Sequence, residues 1–323
     1  MVAGNGSATG GNAEGDQLRI APPTESSIAK ASAAIRSGKL VVIPTETVYG
    51  LAADATKREA VLSIFRAKGR PLENPLIVHV GYPNWVGSLV ESIPDAAQRL
   101  MDSFWPGPLT IVLRKRAVVL DEVTAGLGTV AVRMPSSPIA LAVIRGAGVP
   151  IAAPSANKFM ALSPTRAEDV DPELAAHAEM VLDGGPCEVG LESTVVDCTE
   201  LTPRVLRPGR ISKADIERVL GLRIDQGSGT EKRSPGQYPR HYAPRTPVRL
   251  VDRVPDNSPG VVFGMQRNSS QFSMPDDPDA FGAMLYNTLS QMDRQGLGEI
   301  LVEKPPETSE WEAVWDRLRK ATG

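Results

Sequence analysis

The stretch IPTETVYGL, residues 43–51, decides how the first part of the chain folds. It overlaps the end of an apolar run, LVVIPT (40–45), and leads into a turn that carries two threonines, a glutamate and a tyrosine before Gly50. A glycine at that position allows neighbouring backbone to approach closely. The residues leave two interpretations open: a strand end with an ordinary hydroxyl-capped turn, or the rim of a binding site.

Further apolar runs alternate with helical patterns downstream and predict a sheet with helices packed on it. Helical periodicity covers 27–37, 60–67, 95–104, 138–145 and 212–220. The strand-like runs are short, rich in β-branched residues and closed by turn residues: PLIVHV (75–80), LTIVLRK (109–115), TVAVRMP (129–135), VPIAAP (149–154) and STVVDC (193–198). Because strands and helices do not alternate one to one, we predict an α/β fold with an open, twisted, mixed sheet.

The chain divides into four predicted regions. Residues 1–25 begin with a Gly-, Asn- and Ala-rich segment, which is typical of a disordered tail. Residues 26–222 contain the main α/β pattern, and the polar, turn-rich stretch 223–247 is far longer than the usual connection of about 4–6 residues. Residues 248–323 form a second, small α/β unit, with strand patterns at 248–252, 261–265 and 299–304 and helical patterns at 279–295 and 311–318.

Composition excludes several classes of protein. The chain has 323 residues, 35 Lys+Arg against 38 Asp+Glu, and no apolar run near the roughly 18 residues that a membrane span needs. Two cysteines, Cys187 and Cys198, cannot form a disulfide scaffold, and with three scattered histidines they give no zinc-site spacing. We therefore predict a cytoplasmic protein. The GxxxxGK[ST] and GxGxxG signatures are absent, so any nucleotide site must use another architecture.

The middle of the chain is basic although the whole chain has a net charge of −3. Residues 61–166 contain 11 Lys+Arg and 6 Asp+Glu, which favours a site for anions. Within that segment Arg66, Lys68 and Arg70 cluster where Gly69 ends a predicted helix. These cations either stabilise the helix C-terminus or form a clamp for a polyphosphate.

Two residues stand out because they occupy otherwise apolar strands. Arg133 needs a partner if it is buried, so it is either in a structural ion pair or an anchor for a carboxylate or carbonate. His79 is either a core residue or a ligand. Hydroxyls, amides and arginines recur in APSAN (153–157), GLESTVVD (190–197) and LRPGR (206–210), at strand ends where open α/β sheets bind ligands. Without a recognisable nucleophile, the pattern predicts catalysis by positioning and charge stabilisation.

Seven motifs, in this order and spacing, resemble the YrdC-type family of threonylcarbamoyl-AMP synthases: PTETVYGL (44–51), KGRPLENPLIVHV (68–80), FWPGPLT (104–110), VAVRMP (130–135), APSAN (153–157), ESTVVD (192–197) and LRPG (206–209). The resemblance covers about 26–222. SPGQYPRHYAP (234–244) and the unit after it are similar to the two-domain form. This implies a YrdC-like sheet with a small, Rossmann-like C-terminal α/β domain.

The resemblance also implies an activity. The expected enzyme is a nucleotidyltransferase that forms threonylcarbamoyl-AMP and pyrophosphate from L-threonine, bicarbonate and ATP. That reaction is the first step of threonylcarbamoyladenosine modification of tRNA. The implied partners are a downstream tRNA threonylcarbamoyl transferase machinery and, weakly, RNA, with no membrane. ATP is a substrate and would bring Mg²⁺ with it, because no protein metal ligands stand out.

Site residues follow from the same motifs, position by position. For threonine and bicarbonate, the resemblance implies Thr47, His79, Arg133, Ser155 and Ser193. For ATP, it implies Lys68, Arg70, Asn74, Thr129, Asn157, Thr165, Arg207 and Tyr242. Through this tyrosine the 223–247 linker would cover the nucleotide as a lid. No residue is expected to act as a covalent or acid–base catalyst.

Two other functions were weighed. One is a non-catalytic module that binds double-stranded RNA or tRNA, which would need widely spread cations and would give Thr47, Ser155 and Asn157 no purpose. The other is a carbamoyl-AMP-forming enzyme of the hydrogenase-maturation type. Such enzymes carry acylphosphatase and zinc-finger modules, for which this chain has neither the length nor the cysteines.

Overall fold

The structure, a computed structural model, describes residues 20–227 and 241–322. The strands in these residues are β1 (Ile20–Ala21), β2 (Leu40–Pro44), β3 (Tyr49–Asp54), β4 (Ile77–His79), β5 (Leu109–Arg114), β6 (Thr129–Arg133), β7 (Ile151–Ala152), β8 (Ala178–Leu182), β9 (Thr194–Asp197), β10 (Arg204–Arg207), β11 (Asp225–Gln226), β12 (Val248–Val251), β13 (Gly260–Phe263), β14 (Gln271–Met274) and β15 (Ile300–Glu303). The helices are α1 (Glu25–Arg36), α2 (Arg58–Lys68), α3 (Val86–Leu89), α4 (Asp95–Phe104), α5 (Asp121–Thr124), α6 (Pro138–Ala147), α7 (Pro172–Ala176), α8 (Lys213–Leu220), α9 (Pro278–Asp293) and α10 (Glu312–Thr322). None of these helices has both the length and the apolar character needed to cross a membrane.

The first sheet is mixed and holds most of the strands. Its order in the described residues is β1-β8-β2-β3-β7-β4-β6-β5-β9-β10-β11. Parallel neighbours such as β4 and β6 occur beside antiparallel neighbours such as β5 and β6. Helices pack on both faces of this sheet. The predicted α/β fold with an open mixed sheet is confirmed.

The stretch 43–51 forms a hairpin between β2 and β3. The strands pair antiparallel, with Pro44 opposite Tyr49. The hydroxyl of Thr45 closes the turn: it accepts hydrogen bonds from the amides of Thr47 and Val48, each at 3.2 Å, and donates to the carbonyl of Val48 at 2.6 Å. A threonine that bonds its own turn in this way is common at strand ends. Strand β3, which we did not predict, is fully buried.

Strand alternation separates the two faces of the first sheet. One face carries Val78 and Val132, which join the largest apolar core under α2, α4 and α8. On the opposite face α1 and α6 pack against β2 and β7 through residues such as Ile35 and Val143. Further along that second face, neither helix reaches the surface formed by β4, β5, β6 and β9. This surface carries the site described below.

The second unit is a small α/β domain with a parallel sheet of order β12-β15-β13-β14. Helices α9 and α10 pack on it around Phe281, Leu285 and Leu318. Val48 and Leu191 of the first unit join the same apolar cluster. The two units therefore share a core, and the predicted second α/β domain is confirmed.

Two predicted boundaries need correction. Residues 20–25 are ordered, because β1 pairs with β8 and the Thr24 hydroxyl caps α1 by accepting from the amide of Ser27. The prediction of a disordered tail is wrong for these residues, and 1–19 lie outside the described part. The predicted linker 223–247 contains β11, which pairs in parallel with β10. Residues 228–240 of that linker lie outside the described part, and the remaining domain limits stay predictions.

Contact between the units depends on Gly190. Its φ is +69°, and a Cβ added there would lie 2.5 Å from the Cα of Ala283 in α9. Gly148 has the same φ of +69° at the C-terminus of α6, but an added Cβ would meet nothing within 4 Å. The two glycines therefore differ in steric surroundings and not in backbone conformation.

We predict that Gly190→Ala destabilises the protein more than Gly148→Ala does. Both variants bear the left-handed backbone cost of about 1–2 kcal/mol. Overpacking against α9 should add about 1–3 kcal/mol at position 190. Urea unfolding of both variants measures the difference. Equal losses would mean that the close contact between Gly190 and α9 contributes nothing to stability.

Candidate active site

The candidate site lies over part of the second face of the first sheet. Its floor consists of small or branched apolar residues, Ile77, Val112, Ala131 and Val195. His79 ends β4 and pairs in register with Arg133, which ends β6. Thr110 of β5 pairs with Arg133 from the other side. Strand pairing alone thus brings together three polar side chains that are far apart in sequence.

Arg133 is buried and held by three protein groups. Its Nη2 lies 2.6 Å from Oε1 of Glu46, which is also buried. Nη1 donates to the Thr47 hydroxyl at 2.9 Å, and Nε donates to the carbonyl of Gly107 at 3.3 Å. The structural ion pair is therefore present. These contacts use three of the five N–H donors of the guanidinium, so a role as carboxylate anchor stays compatible with the geometry and stays a prediction.

Ser193 and Arg207 form another part of the site, held together by hydrogen bonds. Arg207 donates from Nε to the carbonyl of Ser193 at 3.0 Å and from Nη2 to its hydroxyl at 3.1 Å. The hydroxyls of Ser193 and Thr110 lie 2.7 Å apart. Nη1 of Arg207 donates to the hydroxyl of Tyr242 at 3.4 Å. The pairing of β10 with β9 shifts register just before Arg207, and such irregularities redirect side chains toward sites.

Lys68 turns toward backbone carbonyls. Its ammonium donates to the carbonyl of Ser155 at 2.5 Å and to that of Asn157. Burial, together with the nearby charges of Arg70 and Lys158, places the pKa of Lys68 well below its usual value. Lys68 therefore fixes the segment after β7 in this structure, and its predicted contact with ATP would require these hydrogen bonds to change.

Several buried polar atoms lack a hydrogen-bond partner among the described residues. They include Oε2 of Glu46, Nδ2 of Asn74, Nδ1 of His79, Oγ1 of Thr129, Oδ1 of Asn157 and Nδ1 of His241. Buried polar atoms in folded proteins almost always have a partner. Four of these atoms belong to residues predicted to bind substrates: Asn74, His79, Thr129 and Asn157. The unpaired atoms therefore indicate where a polar ligand can supply partners.

A small cavity of about 50 Å³, which is smaller than typical ligand sites, lies beside His79 and His241. Of the predicted residues, its wall contains Thr47, Arg70, His79, Arg133, Ser155, Ser193, Arg207 and Tyr242. Five others are not part of the wall: Lys68, Asn74, Thr129, Asn157 and Thr165. Thr129 begins the strand that Arg133 ends, so the two lie roughly 13 Å apart.

Glu192 lies at the boundary between the two units and lines the cavity. Its carboxylate accepts hydrogen bonds from Ser163 at 2.5 Å, Tyr286 at 3.0 Å and Arg317 at 2.8 Å. Burial would raise the pKa of Glu192, but the charges of Arg317 and Arg207 and the Ser163 hydrogen bond outweigh it and lower the pKa to about 2. The carboxylate is therefore ionised at neutral pH.

His241, Tyr242 and Ala243, near the end of the predicted linker, are packed between the two units. Tyr242 is 1% exposed and has a left-handed backbone, with φ at +57°. Its ring lies 4.0 Å from that of His241. The amide of His241 donates to the carbonyl of Lys320, and the amide of Ala243 donates to that of Met160. A strained residue held by neighbours is a common feature of functional sites. The lid role of 223–247 stays a prediction.

Four residues of the site were missed by sequence analysis: Glu46, Glu192, His241 and Arg317. Glu46 and Glu192 are inside quoted motifs, so the need of buried Arg133 for a carboxylate was a usable signal. His241 is next to the predicted Tyr242. Arg317 is in an amphipathic helix, where an arginine is ordinarily exposed, and nothing in the sequence distinguished it.

The described residues contain no group of three or more His, Cys, Asp or Glu side chains arranged to hold a metal ion. The two carboxylates nearest the cavity, Glu46 and Glu192, are each paired with an arginine. The donor set here is mainly cationic, and cations suit phosphates and carboxylates better than metal ions.

Comparison with known proteins assigns the chain to a family. Residues 33–209 match the family model described as telomere recombination, and residues 211–323 match the model described as threonylcarbamoyl-AMP synthase, C-terminal domain. The chain belongs to the threonylcarbamoyl-AMP synthase family. It is 39% identical to the threonylcarbamoyl-AMP synthase of Bacillus subtilis, over 92% of this chain and 93% of that protein.

Another member of the threonylcarbamoyl-AMP synthase family comes from Pyrococcus abyssi, with 42% identity over 90% of this chain and 92% of that protein. A crystal structure described as P. abyssi Sua5 complexed with L-threonine superposes with a TM-score of 0.87 at 40% identity, covering 94% of this chain and 96% of that chain. Both units of the present structure are therefore typical of the threonylcarbamoyl-AMP synthase family.

The histidines of the site predict a pH dependence of stability. Burial, and then the positive charge of Arg133, lower the pKa of His79 to about 3, and burial is also the main cause that lowers the pKa of His241 to about 3. Below pH 6.5 the unfolded chain binds protons at these positions and the folded chain does not. Each such histidine should therefore cost about 1.4 kcal/mol of stability per pH unit from pH 6.5 down toward pH 3.

As the pH falls from about 6 to about 4.5, the free energy of unfolding should decrease for both the wild type and His79→Gln. We expect the decrease to be smaller for His79→Gln than for the wild type, by about 1.4 kcal/mol per pH unit. Urea unfolding at several pH values measures this. His177→Gln, at an exposed position after α7, is the matched control. If the His79 variant follows the wild-type curve, the imidazole of His79 is not held neutral by the fold.

Proposed function

We propose that this chain forms threonylcarbamoyl-AMP and pyrophosphate from L-threonine, bicarbonate and ATP, as the first step of threonylcarbamoyladenosine modification of tRNA. Family membership over both units supports the reaction. The structural observation that carries the proposal is the convergence of three arginines, four serine or threonine residues, two histidines and Tyr242 in one cavity. A site of cations and hydroxyls suits a substrate set whose members each carry an anionic group.

The chemistry requires positioning and no protein nucleophile. The deprotonated amine of threonine attacks the carbon of bicarbonate, which loses water, or of CO₂, in which case the amine releases a proton to solvent; either route gives a carbamate. A carbamate oxygen then attacks the α-phosphorus of ATP, and pyrophosphate leaves with its electron pair. We assign the threonine end to Arg133, Thr47 and Ser155, next to His79. Because the His79 imidazole is uncharged, it does not repel the ammonium form of threonine before the proton leaves.

The nucleotide end extends from Arg207 and Tyr242 toward Arg70. Arg207 and Arg70 would hold the phosphates, where negative charge builds up as pyrophosphate leaves. The unpaired atoms of Asn74, Thr129 and Asn157 would accept or donate to the ribose and base. Mg²⁺ would enter bound to the phosphates of ATP, since the nearby carboxylates are already paired with arginines.

The chemistry of the product indicates how it must be used in the next reaction. Threonylcarbamoyl-AMP is a mixed anhydride of a carbamate and a phosphate, and water destroys such compounds. We therefore propose that a tRNA threonylcarbamoyl transferase machinery takes it up soon after release, in the cytoplasm. Weak RNA binding by the basic part of the first unit would assist that transfer.

The decisive experiment measures pyrophosphate released from ATP in bicarbonate buffer with Mg²⁺. We expect release that depends on L-threonine and is lost on removal of bicarbonate or Mg²⁺. L-Valine, which replaces the threonine hydroxyl by a methyl group, is the matched control substrate. Folded protein that releases no pyrophosphate above the no-threonine control would refute the proposal. RNA binding without any such release would instead favour the non-catalytic module.

Tyr242→Phe tests the nucleotide end of the site. Burial raises the pKa of Tyr242 to about 12, so its hydroxyl keeps a proton that it can donate while it accepts from Arg207. We expect KM for ATP to rise about 3- to 10-fold, in keeping with the loss of a hydrogen bond of about 1 kcal/mol, with little change in the unfolding temperature. Tyr82→Phe, at an exposed position, is the control. An unchanged KM would remove Tyr242 from the ATP site.

A further inference from the structure

We propose that Arg317, a residue of the second unit, is a positioning residue for the nucleotide half of the active site. The inference rests on the proposed function and deepens it, because it makes the second unit part of the substrate-binding machinery. Arg317 lies in α10, and its side chain is completely buried. It does not reach the cavity itself, so its effect must pass through the residues that it holds.

The guanidinium of Arg317 holds the main chain at two points of the first unit. Nη2 donates to the carbonyl of Glu192 at 3.1 Å, and Nη1 donates to the carbonyl of Pro208 at 3.0 Å. Glu192 directly precedes Ser193, and Pro208 directly follows Arg207. One side chain thus fixes the backbone next to two wall residues, each of which comes from a different motif.

These two segments are packed without spare room. A Cβ added to Gly209 would lie 2.5 Å from the amide nitrogen of Thr194 and 2.8 Å from the carbonyl oxygen of Glu192. Arg207 bridges the same gap through its two hydrogen bonds to Ser193. The pairing of β10 with β9 shifts register just before Arg207, which still pairs with Val195. Arg317 adds a restraint at Pro208, the residue that follows Arg207.

The charge of Arg317 also determines where Arg207 points. The buried carboxylate of Glu192 pairs with Nε of Arg317 at 2.8 Å. An unpaired buried carboxylate is very unfavourable, so without Arg317 it would attract Arg207, which the charge interactions place nearby. That movement would take Arg207 from Ser193 and Tyr242. Arg317 therefore keeps Arg207 in the orientation that faces the cavity.

A third contact links Arg317 to the linker end. Its Cζ lies 5.2 Å from the centre of the Tyr242 ring, within cation–π distance. The same helix accepts a hydrogen bond at the carbonyl of Lys320 from the amide of His241. Ser193, Arg207 and Tyr242 are thus all oriented by α10, and two of them are assigned to ATP.

The test uses the full chain and the variant Arg317→Met, with Arg249→Met as the control. Arg249 is an arginine of the same unit in an exposed ion pair with Glu299. We expect Arg317→Met to raise KM for ATP at least tenfold and KM for threonine no more than about threefold, because only Ser193 of the threonine group depends on Arg317. Unchanged KM for ATP would overturn the proposal.

A double variant separates positioning from charge neutralisation. Glu192→Gln/Arg317→Met removes both charges, so its unfolding midpoint should recover relative to Arg317→Met, which leaves a carboxylate unpaired. We expect KM for ATP to stay raised in the double variant, because the hydrogen bonds to both carbonyls are still missing. Recovery of KM together with stability would overturn the positioning role and leave only neutralisation.

A further variant and a direct binding measurement complete the test. If Arg317→Met does not fold, Arg317→Lys keeps the charge, but its three N–H donors cannot serve the four acceptors of the guanidinium, which are two oxygens of Glu192, the carbonyl of Pro208 and the carboxylate of Asp316. We expect near-normal stability with a several-fold higher KM for ATP. A wild-type KM in that variant would overturn the proposal. Calorimetric titration with ATP and Mg²⁺ gives the same comparison as Kd values. Nucleotide binding that depends on Arg317 without threonine-dependent pyrophosphate release would support the positioning role while refuting the proposed reaction.

Discussion

Buried positive charge is the constraint on which the site depends. Lys68, Arg133, Arg207 and Arg317 are all buried in or next to one cavity. Cations in such surroundings are unfavourable unless protein groups compensate them before any ligand binds. Backbone carbonyls receive Lys68, while carboxylates pair with Arg133 and Arg317. The hairpin turn supplies one of these carboxylates, Glu46, and the motif at residues 190–197 supplies the other, Glu192.

The way each charge is compensated affects what a ligand must do. Arg133 is held by a fixed carboxylate, so a substrate adds to this contact and does not need to break it, whereas Arg317 does not reach the cavity. Lys68 is held only by carbonyls, so an anionic phosphate can compete for it. Groups that are already oriented do not need to reorganise during the reaction, and that is how charge stabilisation becomes effective. The carboxylate contact of Arg133 is therefore in place before a ligand binds, whereas the carbonyl contacts of Lys68 can be exchanged.

Sequence reasoning succeeded where local pattern and chemistry coincide. Alternation along β4 and β6 places His79 and Arg133 on one face of the sheet, and the sequence alone predicts both as site residues. Strand β3 was missed because YGLAAD (49–54) contains no β-branched residue, and its burial between two other strands is a tertiary effect. The contacts of Lys68 depend on the backbone path of a distant segment. Arg317 pairs with a residue 125 positions away, and no periodicity reports such a distance.

Residues 189–192 connect the hairpin turn of the first unit with the second unit through four consecutive contacts. In residues 189–192 the valine amide donates to the carbonyl of Glu46 at 2.7 Å, the glycine lies against Ala283, the leucine enters the core of the second unit, and the glutamate pairs with Arg317. Glu46 in turn pairs with Arg133. The second unit is therefore linked to wall residues from two parts of the site: to Ser193 and Arg207 through Arg317, and to Arg133 through the contact of Val189 with the backbone of Glu46. The apolar contacts of Leu191 hold the two units together, and the polar contacts add fixed positions for these wall residues.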